Sequence, residues 1–126
     1  LIMTLEDDLT TAAATGNAAA VEYLLETGAH VNGLNRFGRT ALQVMMMGSL
    51  SVAQTLLKHG ADPNVRDRST GATPLHDAVR TGFVDTARLL IEFQADPNLR
   101  DNKNLRPIDI AKLGGHEEVF AFLETE

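Results

Sequence analysis

Apolar residues recur along this chain in short bursts at three- and four-residue intervals. Leu75, Ala78 and Val79 fall at i, i+3 and i+4, and Ala87, Leu90 and Ile91 repeat the spacing after Gly82. The spacing predicts two short helices, each with one apolar face, parted by a glycine break. The same face returns in Ala53, Leu56 and Leu57, and in Val21, Leu24 and Leu25, where the runs Ala12-Ala13-Ala14 and Ala18-Ala19-Ala20 keep the helices slender. A last copy sets Ile108, Ala111, Val119, Phe122 and Leu123 among Asp109, Lys112, Glu117, Glu118 and Glu124. One such pair cannot bury its apolar face alone, so neighbouring pairs must cover one another. The pattern predicts an all-α chain of four stacked helix-turn-helix units.

The breaks between helices are in register. Gly16 to Gly28, Gly48 to Gly60 and Gly82 to Gln94 are each twelve residues apart, and Gly115 opens a further stretch. Behind them stand the turns Gly28-Ala-His-Val-Asn32, Gly60-Ala-Asp-Pro-Asn64 and Gln94-Ala-Asp-Pro-Asn98, followed by Asn35, Asp67 and Asp101. Ahead of the helices stand Thr40-Ala-Leu-Gln43, Thr73-Pro-Leu-His76 and Arg106-Pro-Ile-Asp109, 33 residues apart. Pro74 and Pro107 suit a first helical turn, where the missing N–H costs nothing, and Thr73 can cap the unpaired donors there. The period and its Thr-Pro-Leu-His opening resemble the ankyrin repeat. That resemblance implies an ankyrin-repeat solenoid with β-hairpin-like loops, a single domain over residues 1–126 with repeats at roughly 7–35, 36–67, 68–101 and 102–126. One unit is irregular: Thr40 to Gly48 spans eight residues where Thr73 to Gly82 and Arg106 to Gly115 span nine. A deletion rotates the downstream residues by ~100°, so a single turn or a bend is expected there in place of a two-turn helix. It reads either as a tolerated deletion or as a reshaped concave edge.

Composition narrows the function. With 44% hydrophobic and 22% charged residues the 126-residue chain has the make-up of one folded domain. There is no cysteine, hence no disulfide framework, and no apolar run near the ~20 residues of a membrane span. Leu1, Ile2 and Met3 lack the basic start of a secretory signal. A reducing, aqueous compartment is expected. A net charge of -6 argues against nucleic acid as partner and for a basic protein surface. His30, His59, His76 and His116 have no i, i+4 ligand spacing, and no phosphate-binding glycine loop occurs, so neither metal nor cofactor is expected. No nucleophile is placed to use His76 and Asp77, which point ~100° apart on a helix, so the chain does not read as an enzyme. The ankyrin resemblance implies that His76 is a hydrogen-bonding strut within and between repeats. Asp77 can cap its helix, and Asp67 and Asp101 can form turns. Met45, Met46 and Met47 cannot all face inward, so at least one is expected at the surface.

Three segments carry a closer resemblance: residues 35–49, from Asn-Arg-Phe-Gly-Arg through Met45-Met46-Met47-Gly48-Ser49; residues 74–83, Pro-Leu-His-Asp-Ala-Val-Arg-Thr-Gly-Phe; and residues 9–16, Leu-Thr-Thr-Ala-Ala-Ala-Thr-Gly. They are similar to the small inhibitors of cyclin-dependent kinases 4 and 6, nearest the four-repeat members of the 2A/2B type, whose second repeat is likewise abbreviated. The resemblance implies a non-catalytic monomer whose partner is a protein kinase, with no cofactor, nucleic acid or membrane involved. The resemblance further implies a chain that lies beside the ATP cleft, distorts the lobes and opposes cyclin binding, restraining passage from G1 to S. It points to Asp77 as an acid for a kinase arginine, to Asp67 and Asp85 as further acids, to Arg80 and Phe83 in the same segment, and to Gln43, Val44 and Met46 in the shortened helix. Ala19 and Ala20 stand where the shorter members carry glutamates. The competing reading is a general ankyrin adaptor for another protein, for which an ordinary two-turn helix in every unit is expected.

Overall fold

The computed structural model describes residues 2–126. Its helices are α1 (Leu5–Ala14), α2 (Ala18–Glu26), α3 (Ala41–Val44), α4 (Leu50–Lys58), α5 (Pro74–Arg80), α6 (Val84–Glu92), α7 (Pro107–Leu113) and α8 (Glu117–Glu124), with no strand among the described residues. They form two compact units, Leu1–Asp62 and Pro63–Glu126, each holding two helix pairs. In the first, α1 packs on α3 and α2 on α4; in the second, α5 packs on α7 and α6 on α8. The apolar stripes meet as their spacing predicts. Leu9, Ala13, Val21, Leu42, Val52 and Leu56 are buried in the first unit, and Leu75, Ala78, Val79, Ala87, Leu90 and Ala111 in the second. Each buried leucine contributes roughly 1.5–3 kcal/mol.

One device starts the leading helix of every pair. Thr73 Oγ1 accepts from the His76 N–H, and His76 Nδ1 accepts from the Thr73 N–H at 3.1 Å. Thr40 and Gln43 do the same, the Gln43 side-chain oxygen accepting from the Thr40 N–H at 2.8 Å. So do Thr4 and Asp7, at 3.0 and 3.2 Å. Where Arg106 replaces threonine, Asp109 still accepts from the Arg106 N–H at 2.9 Å and adds the guanidinium at 3.3 Å. Reciprocal caps of this kind are worth about 1 kcal/mol.

In α1 and α5 the same third helical residue also reaches the following loop. Asp7 Oδ1 accepts from the Arg36 N–H at 2.8 Å, and His76 Nε2 lies 2.8 Å from the Leu105 carbonyl. Because His76 Nδ1 accepts from Thr73, Nε2 carries the hydrogen and donates to Leu105. His76, with none of its surface exposed, is therefore the strut that its position in Thr-Pro-Leu-His led one to expect. Asparagines make a second joint. Asn32 bonds the Gly60 carbonyl and the Asp62 N–H in the first unit, and Asn64 bonds the Gln94 carbonyl and the Asp96 N–H in the second.

The short count between Thr40 and Gly48 has the expected result. Helix α3 is one turn of four residues, and Met45 leaves it in an extended conformation. The chain is then stitched to the first pair, with the Met46 N–H donating to the Ala13 carbonyl at 3.0 Å. The loops close on themselves as hairpin-like turns: Asn35 N–H to Arg39 O, Asp67 N–H to Ala72 O, and Asp101 N–H to Leu105 O. Gln94 occupies the left-handed region at φ 74°, where Gly28 and Gly60 occupy the matching turns at 114° and 89°.

Candidate protein-binding site

The first unit carries three of the anticipated contact residues in one stretch. Gln43 and Val44 end the single turn of α3, and Met46 opens the bend after it. Of the three methionines, Met45 is buried, Met47 is half-buried, and Met46 is 49% exposed, as the run of three required. Its position is enforced from two sides. The backbone bond to Ala13 holds the main chain, and the sulfur lies so near Gly16 that a Cβ there, already disfavoured at φ +74°, would meet it at 3.1 Å. Gln43 spends its side-chain oxygen on the cap of α3, so its amide NH2 is the group left to meet a partner. Val44 lines a shallow depression with Ala14, Met3 and Phe37.

Phe37 was not among the residues that sequence reasoning singled out. It is 72% exposed at a turn tip, its N–H held by Asn35 Oδ1 at 2.9 Å and its ring facing the Arg36 guanidinium at 5.0 Å. The available signal was positional: later repeats place Ser69 and Lys103 two residues past the turn acid, so an aromatic there has no structural duty.

The second unit carries the charged set. Asp77 is the fourth residue of α5 and is half-buried, and the Arg80 guanidinium donates to its Oδ1 at 2.8 Å. Phe83, 44% exposed, stands at the start of α6, and the exposed Asp85 lies in that helix's first turn, where a negative charge faces the unpaired N–H groups. Asp67 is placed differently from the other two acids. Its Oδ1 accepts from the Ser69 N–H, the Ser69 hydroxyl and the Thr70 N–H at 2.8, 2.6 and 3.0 Å, so that oxygen builds the turn. Asn35 and Asp101 use their side-chain oxygens in the same way.

Perturbed acids lie at the caps, and Asp7 also lines the depression that holds Val44 and Phe37. The Thr4 N–H, then the Arg36 N–H, hold the Asp7 carboxyl below its ordinary range. The Arg106 N–H, then its guanidinium, do the same for Asp109. Both shifts are structural, since each carboxylate is consumed by the bonds that lower it. No group of metal-ligating side chains assembles among the described residues, and no described helix is long and apolar enough to cross a membrane. What remains is a set of exposed thioether, aromatic and charged groups on rigid supports, which suits protein recognition.

Comparison with known proteins agrees. The ankyrin-repeat family profile (three copies) matches residues 7–67 and 48–125. Human cyclin-dependent kinase 4 inhibitor B is 48% identical over 120 residues, covering 95% of this chain and 87% of that protein. Human cyclin-dependent kinase inhibitor 2A is 47% identical over 119 residues, 94% of this chain and 76% of that one, and the Monodelphis domestica protein of the same name is 47% identical over 117 residues, 93% and 68%. Identity of this order, spread over all four repeats, means that the chain belongs to the ankyrin-repeat family of cyclin-dependent kinase inhibitors of the 2A and 2B type.

Proposed function

We propose that this chain is a non-catalytic inhibitor of cyclin-dependent kinases 4 and 6, acting as a monomer in cytoplasm and nucleus to restrain the G1-to-S step. The observation that carries the reading is the 48% identity, over 95% of the chain, to a protein named as an inhibitor of cyclin-dependent kinase 4. The four-residue α3 supports it. A general ankyrin adaptor was expected to keep two turns in every leading helix, and this one does not.

In this reading the chain binds beside the ATP cleft and favours an arrangement of the lobes that takes up cyclin and nucleotide poorly. Its leverage equals the difference between its affinities for the inactive and active arrangements. Asp77 anchors the contact on a kinase arginine. Arg80, Phe83 and Asp85 flank it in the second unit, while Gln43, Val44 and Met46 contribute from the first. Asp67 acts through the turn that it builds as much as through its charge. Truncating a desolvated acid–arginine pair costs on the order of 2 kcal/mol, roughly thirtyfold in affinity.

The test is a calorimetric titration of the chain against monomeric cyclin-dependent kinases 4 and 6, beside Asp77→Ala with its helicity checked by circular dichroism. Sub-micromolar binding that the folded variant loses is the expected result. A well-folded wild-type chain that binds neither kinase would overturn the proposal.

A further inference from the structure

Asp77 and Arg80 meet across a single turn of α5 at 2.8 Å, and both remain open to water, the acid's side chain 31% exposed and the arginine's 52%. Their backbones are held by other bonds. The Asp77 carbonyl accepts from the Thr81 hydroxyl at 2.8 Å, and the Arg80 carbonyl bonds His116 Nε2 at 3.1 Å. Neither bond uses the carboxylate or the guanidinium. The pair also takes no part in the cap of α5, which belongs to Thr73 and His76, or in the joint to the next loop, which belongs to His76 and Leu105. It can therefore open without loosening the helix or the stack.

Its opening is inexpensive. An exposed pair one turn apart shifts an equilibrium by no more than about fivefold, whereas oppositely charged groups desolvated across an interface change affinity by orders of magnitude. We propose that this ion pair exchanges partners on binding: closed in the free chain, it opens on docking, so that Asp77 takes a cation and Arg80 an anion on the kinase surface. The inference rests on the kinase reading above and sharpens it. The complementary feature on the partner is a cation–anion couplet spaced by about one helical turn and ordered along α5, in place of a lone basic residue. A surface that presents only one complementary group takes one member of the pair and leaves the other without its partner, and this favours surfaces that satisfy both at once.

The experiment is the charge-swapped chain, Asp77→Arg with Arg80→Asp, measured against monomeric cyclin-dependent kinase 6 by surface binding kinetics at low and high salt. The swap keeps composition, net charge and an ion pair within α5, and inverts only the order of the charges. Affinity is expected to fall by about 100-fold or more. Retention within about threefold of wild type by a folded swapped chain overturns the exchange. Should the swap unfold the chain, the shape-matched Asp77→Asn with Arg80→Gln serves. It is expected to bind at least about thirtyfold more weakly, with an association rate that responds less to salt, and wild-type affinity with wild-type salt dependence overturns the proposal. A wild-type chain that does not bind removes the kinase reading, and this inference with it.

Discussion

Gln94 holds a backbone conformation that its side chain opposes, and replacing it with glycine should stabilise the protein. It sits at φ 74° in the turn that Gly28 and Gly60 make in earlier repeats. A left-handed residue with a Cβ costs about 1–2 kcal/mol, and glycine's extra freedom in the unfolded chain returns roughly 0.5–1 of that. No packing is lost, because Gln94 is exposed, and its hydrogen bonds are main-chain ones that glycine keeps: its N–H to Ile91 O at 3.0 Å and its carbonyl to Asn64 at 3.3 Å. Gln94→Gly should therefore gain about 0.5–1 kcal/mol, a rise of roughly 2–5 °C in Tm for a chain of this size. Gly60→Ala supplies the reverse test, since a Cβ at Gly60 meets no atom within 4 Å and only its φ of +89° opposes alanine. Urea and thermal melts followed by circular dichroism should show a gain for the first and a comparable loss for the second. An unchanged or lowered midpoint for Gln94→Gly, or a cost-free Gly60→Ala, would refute the idea that backbone strain sets stability at this turn.

The caps give two further expected outcomes. His76→Ala removes a buried acceptor of the Thr73 N–H and a donor to Leu105 together, so urea melts should show a loss of about 2–4 kcal/mol, and a loss under about 1 would mean water replaces the strut. Asp7 and Asp109 have folded pKa values below their unfolded ones, so the stability they add is present above about pH 4 and lost as pH falls through the lowered values. Melts of Asp7→Asn with Asp109→Asn across roughly pH 2–6 should show a flatter acid dependence than wild type, and an identical profile would assign acid sensitivity to other groups.

Much of this structure was readable in the chain. The three- and four-residue apolar spacing placed Leu75, Val79, Leu56 and Leu90 in the core, and a missing residue after Thr40 foretold the single turn of α3. The cap formed by Thr4 and Asp7 escaped notice because the device needs only an acceptor at the third helical position, which aspartate, glutamine or histidine can supply, and a search for Thr-Pro-Leu-His sees only the last. For Asp67 the sequence left turn and interface roles open. The hydroxyl and N–H groups of Ser69 and Thr70 commit one of its oxygens to the turn, a matter of loop geometry that spacing does not encode. Phe37 went unremarked for a related reason: periodicity identifies the inward face of a helix and is silent on what a turn displays. The stitch from Met46 to Ala13 joins residues 33 apart and depends on how two helix pairs settle against one another.

The shortened helix has a counterpart in the loop that precedes α5. The Asn35 and Asp101 turns close onto the fourth residue after them, while the Asp67 turn closes onto the fifth, Ala72. The residue missing between Thr40 and Gly48 is thus restored before Thr73, and the interval from Thr40 to Thr73 stays at 33. In between, the sequence runs one step out of phase: Gly48, Gly60, Asn64 and Asp67 lie 34 residues ahead of Gly82, Gln94, Asn98 and Asp101, whereas Thr73 lies 33 ahead of Arg106. The second repeat is better described as a slipped copy than as a truncated one. Aligning it with its neighbours at a uniform offset mismatches every position in the slipped segment, setting Ser49 rather than Gly48 beside Gly82.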